Sequence, residues 1–88
     1  MLEIIKRKIS RGTYNQDMDI TGFVKVLGFH LDDNGVCFAN ILIDPEGEET
    51  ESVVIHMFKS GDTNCRVYPH EIKHIQSIGD LHMFVDSF

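Results

Sequence analysis

His70-Glu71-Ile72-Lys73-His74 fits the pattern H-E-x-x-H. On a helix, positions four apart share a face, so both imidazoles could hold one zinc ion while Glu71 activates a metal-bound water. Asp80 and His82 follow as candidates for a third ligand. The surroundings oppose this chemistry. Pro69 leaves almost no room for helix before His70. Lys73 puts a charge on a face that such a site needs to bury. A chain of 88 residues is short for a peptidase with a substrate cleft. A zinc-dependent peptidase is the last-ranked reading, and a solvent-facing helical turn the first.

Cys65, His70 and His74, with Cys37 as a fourth, have the ligand types of a structural zinc site. Their Cys-x4-His-x3-His spacing lacks a C-x-x-C knuckle, so no metal or other cofactor is expected. Cys37, between Val36 and Phe38, reads as a buried small hydrophobe. No Gly-rich phosphate loop is present, and Ser52, Ser60 and Ser77 stand in no nucleophile-elbow context. Asp32-Asp33-Asn34-Gly35 lacks the later glutamate of a calcium loop. The expectation is a protein that binds rather than catalyses.

Charge offers two binding chemistries. The formal net charge is −6, yet Lys6, Arg7, Lys8 and Arg11 are four of the eight basic residues. Residues 1–11 form a basic arm of net +3, which leaves −9 for the rest. Asp32, Asp33, Glu46, Glu48, Glu49 and Glu51 form an acidic set that would approach a basic surface on a partner protein. An apolar anchor near Phe84 and Phe88 would complete that interface. Alternatively, Lys6, Arg7, Lys8, Arg11 and Tyr14 would bind RNA phosphates and bases, with Phe23, Phe29 and Tyr68 available for stacking.

The elements that must position these residues are mostly strands. Residues 20–31 are rich in Phe, Val and Leu, and Asn34-Gly35 is a strong hairpin signal before a return over 36–43. Asp44-Pro45-Glu46-Gly47 breaks the chain. Residues 52–58 alternate, Lys59-Ser60-Gly61-Asp62 turns, and 64–68 make a short run before Pro69. Residues 69–78 supply one short helical turn, on the spacing of Ile72, Ile75 and Ile78. Residues 81–88 alternate as a closing strand. Residues 1–9 fit a short helix or a strand, and 10–19 read as a loop. Gly22 and Gly28 inside a strand pattern mark a bulge or sharp bend. His30 and His56 read as satisfied structural histidines that could lie across neighbouring strands.

The order of strand, hairpin, strand, acidic loop, strand, turn, short strand and helical turn resembles SH3-like small barrels, with Arg66-Val67-Tyr68-Pro69-His70-Glu71-Ile72 as the segment entering the turn. The resemblance covers roughly residues 20–76. It implies a mainly β chain, a small antiparallel barrel and one domain spanning 1–88. The compact, acidic, proline-poor character is also similar to small accessory proteins of bacterial viruses. That likeness implies a non-enzymatic module that inhibits or modulates a host protein or ribonucleoprotein, with an RNA-binding barrel as the alternative and self-association left open. The first residues do not form a secretory signal and no apolar run is long enough for a membrane span. A cytoplasmic location, reduced thiols and no membrane partner are the corresponding expectations.

Overall fold

The computed structural model describes residues 1–10, 15–63 and 70–86. They form seven strands in two antiparallel sheets. The strands are β1 (Glu3–Ile9), β2 (Asn15–Thr21), β3 (Phe23–Leu31), β4 (Cys37–Ile43), β5 (Thr50–Lys59), β6 (Ile72–Ile78) and β7 (Leu81–Asp86). Sheet A runs β1-β4-β3 and sheet B runs β2-β5-β7-β6. The shortest dimension is 16 Å, room for two layers about 10 Å apart. Between them lies one core that draws on both sheets, led by Ile20, Ile41, Ile55 and Met83, each almost wholly buried.

Period-two patterning explains most of these strands. In β4, Cys37, Ala39 and Ile41 point inward and are at most 1% exposed, while Phe38, Asn40 and Leu42 face out. In β5, Val53, Ile55 and Met57 fill the core. β7 adds Leu81 and Met83, with Val85 packed against them. The expected closing strand is thus present, and Cys37 is buried as expected.

Gly22 is the corner at which the chain passes from sheet B to sheet A. Its φ is +72°, and a Cβ there would sit 2.1 Å from the Asp44 carbonyl oxygen. The Gly22 N–H donates to Glu49 O at 2.8 Å and its carbonyl accepts from Asp44 N–H at 2.7 Å. The β2–β3 corner and the β4–β5 connection are therefore locked backbone to backbone. Ladder shifts at Phe23/Lys25 and Val26/Gly28 mark the expected bulges in β3.

Four expectations are corrected. The two sheets do not close into an SH3-like barrel. Edge strands β3 and β6 meet along one seam, where the Phe29 N–H donates to Gln76 Oε1 at 2.7 Å. On the other side β1 and β2 are tied by two bonds at one end: Ser10 N–H to Gln16 Oε1 at 2.7 Å and Gln16 Nε2 to Ser10 O at 2.6 Å. The helical turn proposed for residues 69–78 is strand β6 from Ile72 onward. Its ladder with β7 shifts between His74 and Gln76, so Ile75 is an extra residue. That bulge brings Ile75 and Ile78, three residues apart, to the core side, a spacing that mimics a helix, while Ile72 stands opposite Asp86 on the other phase of the strand. The open choice at the N-terminus resolves as strand β1, and part of the expected loop 10–19 is strand β2. Finally, His30 lies in sheet A and His56 in sheet B, so they do not face each other. The short run expected over 64–68 lies outside the described residues. Among the described residues no helix is long and apolar enough to cross a membrane.

Candidate nucleic-acid interface

The outer face of sheet A gathers three rows of side chains from β1, β4 and β3. The antiparallel registers place Lys8 beside Phe38 and Phe38 beside His30. The next row is Lys6, Asn40 and Gly28, and the third is Ile4, Leu42 and Lys25. Lys6, Lys8 and Lys25 are exposed, and Phe38, His30, Asn40 and Leu42 are half-buried. Lys6 Nζ lies 4.9 Å from the Phe38 ring centroid. The His30 ring lies beside Phe38 with centroids 5.4 Å apart and planes 22° apart. Asn40 Nδ2 donates to His30 Nδ1 at 3.0 Å, which fixes the imidazole's orientation. Flat rings set among lysines on a rigid sheet can stack bases and neutralise phosphates together.

Charge follows the same division. The strands of sheet A carry Lys6, Arg7, Lys8 and Lys25 against one acid, Glu3. The acids sit elsewhere: Asp17 and Asp19 on β2, and most others in connections. The acidic set expected to form one partner surface is divided. Asp32 and Asp33 lie in the β3–β4 hairpin, beyond the Cys37 end of β4, whereas Glu46, Glu48, Glu49 and Glu51 lie past its Ile43 end. A seven-residue strand separates them by about 20 Å. Asp32 also has a structural task. Its Oδ1 accepts from Asn34 N–H at 2.9 Å and from Val36 N–H at 2.8 Å, building the turn. Asp33, Glu46, Glu48, Glu49 and Glu51 are exposed.

Within the basic set, Lys6 and Lys8 share the outer face, while Arg7 is on the opposite side of β1, beside Ala39. Arg11, Tyr14, Tyr68 and Cys65 lie outside the described residues. Phe29 is buried in the core and Phe23 half-buried, so Phe29 does not serve for stacking. Phe38, His30, Asn40 and Lys25 carry no motif that singles them out in the sequence. The available signal was the outward phase of residues 38, 40 and 42 in a strand whose other phase is wholly apolar.

The H-E-x-x-H segment is not helical in the structure. His74 is in an extended strand, and its Nε2 lies 2.9 Å from the Ser77 hydroxyl. His70 and Glu71 lie in the turn before β6, so His70 and His74 do not share one face of a helix as that chemistry requires. Among the described residues no group of three His, Cys, Asp or Glu could hold a metal ion. The outer face of sheet B instead forms hydrogen-bonded chains. His82 joins the Ser60 hydroxyl at 2.8 Å through Nε2 and the Ser77 hydroxyl at 2.7 Å through Nδ1. His56, buried, donates from Nε2 to Asp86 Oδ1 at 2.7 Å and sets Nδ1 2.9 Å from Asn15 Oδ1. Phe84, one part of the expected apolar anchor, is half-buried between Phe58 and the exposed His74. Phe88 lies outside the described residues. No family model, curated protein or solved structure matches this chain.

Proposed function

We propose that this chain is a non-enzymatic module that binds single-stranded RNA on the outer face of sheet A. The observation that carries the reading is the row Lys8–Phe38–His30, with the Lys6 ammonium over the same ring. Acids bracket this face at both ends of β4, at Asp33 and at Glu46 to Glu49. A polyanion avoids those ends, so the strand of RNA crosses the sheet rather than running along it. Three strands about 4.8 Å apart present room for two or three bases.

The test is fluorescence anisotropy with a labelled U-rich RNA, titrated over a range of salt concentrations. Replacing Phe38 by Ala removes the stacking surface and weakens binding by about 1–3 kcal/mol. The Lys6→Ala/Lys8→Ala double variant reduces the slope of log affinity against log salt by about 1.4, at ~0.7 per lost phosphate contact on a single strand. Lys59→Ala and Lys73→Ala, on sheet B, serve as controls and leave the slope unchanged. Affinity and slope unaltered by the sheet A substitutions would remove the proposal.

One feature favours a second reading. Glu46, Glu48, Glu49 and Glu51 are exposed along one connection and its entry into β5. Such a loop suits docking on a basic protein surface, as in an inhibitor of a host enzyme. A pull-down with and without RNase separates the two. A partner that survives RNase and is lost on charge reversal of Glu46, Glu48 and Glu49 supports docking.

A further inference from the structure

We infer that β1 pairs with β1 of a second copy of this chain, in a single register centred on Ile5. β1 has a hydrogen-bonded neighbour, β4, on one side only. Its seven residues therefore present a row of backbone donors and acceptors along the open side of the fold. Leu2 and Ile4 are 54% and 65% exposed, and Ile5 is half-buried beside them. An edge of this kind is a template for another strand, and the side chains select which one.

The selection is written in Glu3-Ile4-Ile5-Lys6-Arg7. A two-fold axis at Ile5 sets Glu3 opposite Arg7 of the second copy, and Arg7 opposite its Glu3. Ile5 meets Ile5 between these two ion pairs. All three residues lie on one side of the strand, since their β4 partners are Ile43, Ile41 and Ala39. On the other side Ile4 meets Lys6, whose alkyl stem can lie along it. Moving the axis to Lys6 sets Lys6 against Lys6 and leaves Arg7 facing Ile5. Moving it to Ile4 takes Arg7 away from Glu3. A one-residue slip puts paired side chains on opposite faces. Glu3, the sole acid on the strands of sheet A, thus stands where it neutralises Arg7 of a copy. Lysines and inward charges normally blunt an edge strand. Here they reject foreign strands and accept the one register that cancels them.

Pairing makes a six-stranded sheet whose outer face carries Lys6 and Lys8 of both copies, Lys6 beside Ile4 and Lys8 beside Leu2 of the other copy. The inference does not depend on RNA binding, and its test contains no RNA. Sedimentation velocity across a concentration series should show a monomer–dimer equilibrium for the natural chain. Glu3→Arg and Arg7→Glu each turn two opposite-charge pairs into like-charge pairs, and each weakens the dimer about tenfold. Both residues are exposed, so neither change disturbs the core. Mixing the two variants sets arginines opposite glutamates and restores dimer as a heterodimer, as does the double variant with itself. A monomer at every concentration overturns the inference. So does a dimer indifferent to the single substitutions, or one that the mixture fails to restore.

Discussion

At the scale of single residues, the fold depends most sharply on Gly22. Two costs coincide there. A non-glycine residue at φ +72° is strained, and its Cβ would meet the Asp44 carbonyl oxygen at 2.1 Å. That carbonyl belongs to a backbone already held to Gly22 by a hydrogen bond, so it cannot step aside cheaply. Gly22→Ala is expected to cost about 3 kcal/mol or more, from the strain plus the displaced connection. A chain of this size loses about 4–8 °C of Tm per kcal/mol, so thermal unfolding should shift down by more than about 10 °C. Gly79 makes the comparison fair. It also has positive φ, +59°, but a Cβ there meets nothing within 4 Å. Gly79→Ala should cost only about 1–2 kcal/mol, the conformational part alone. Equal losses at the two sites would show that the crossing with Asp44 does not hold the corner.

At the scale of elements, the seam between β3 and β6 is held by a side chain acting as a strand partner. The Phe29 N–H, on the edge of sheet A, donates to Gln76 Oε1. Gly28 leaves the space this needs, since a Cβ on it would lie 2.7 Å from the same oxygen. Gln76→Ala leaves the amide without that acceptor and should cost about 1–3 kcal/mol. Hydrogen exchange gives the specific readout, because the Phe29 amide should lose protection before the β3–β4 ladder does. Unchanged exchange at Phe29 would mean that the seam rests on packing alone. This seam also marks what was legible in the chain. Long apolar strands with an Asn-Gly hairpin showed themselves, and so did the glycine bend. β2 did not, because Asp17, Asp19 and Asn15 read as loop, although Gln16, Met18 and Ile20 alternate with them toward the core. β6 was mistaken for a helical turn because one bulged residue, Ile75, changes a period of two into a spacing of three. The basic pair Lys6 and Lys8 was visible, but not its aromatic neighbours. Beyond the Asn-Gly hairpin, which strands lie side by side is a long-range property that local patterning does not reach.

At the scale of the whole molecule, a net charge of −6 and an RNA-binding face are reconciled by where the charges stand. Neutral strands around Phe38 would gain little from three lysines if the acids were mixed among them. Apart from Glu3 the acids lie off the strands of sheet A, so the lysines act on phosphates at contact distance while most acids act from farther away. Distance decides how each responds to salt. The Debye length is about 10 Å at 0.1 M salt, so the acids of the β4–β5 connection repel RNA mainly below that concentration. Replacing Glu46, Glu48 and Glu49 together by glutamine should therefore raise RNA affinity at low salt, by about three- to tenfold for three charges removed near the site. The gain should come mostly through faster association, and it should shrink toward nothing as salt rises above a few tenths molar. Stopped-flow association rates with the same labelled RNA, taken at low and high salt, measure this directly. A loss of affinity would mean that these glutamates contact the ligand through hydrogen bonds. An increase that persists at high salt would place them against the bound phosphates, and the RNA would then run along β4 rather than across it.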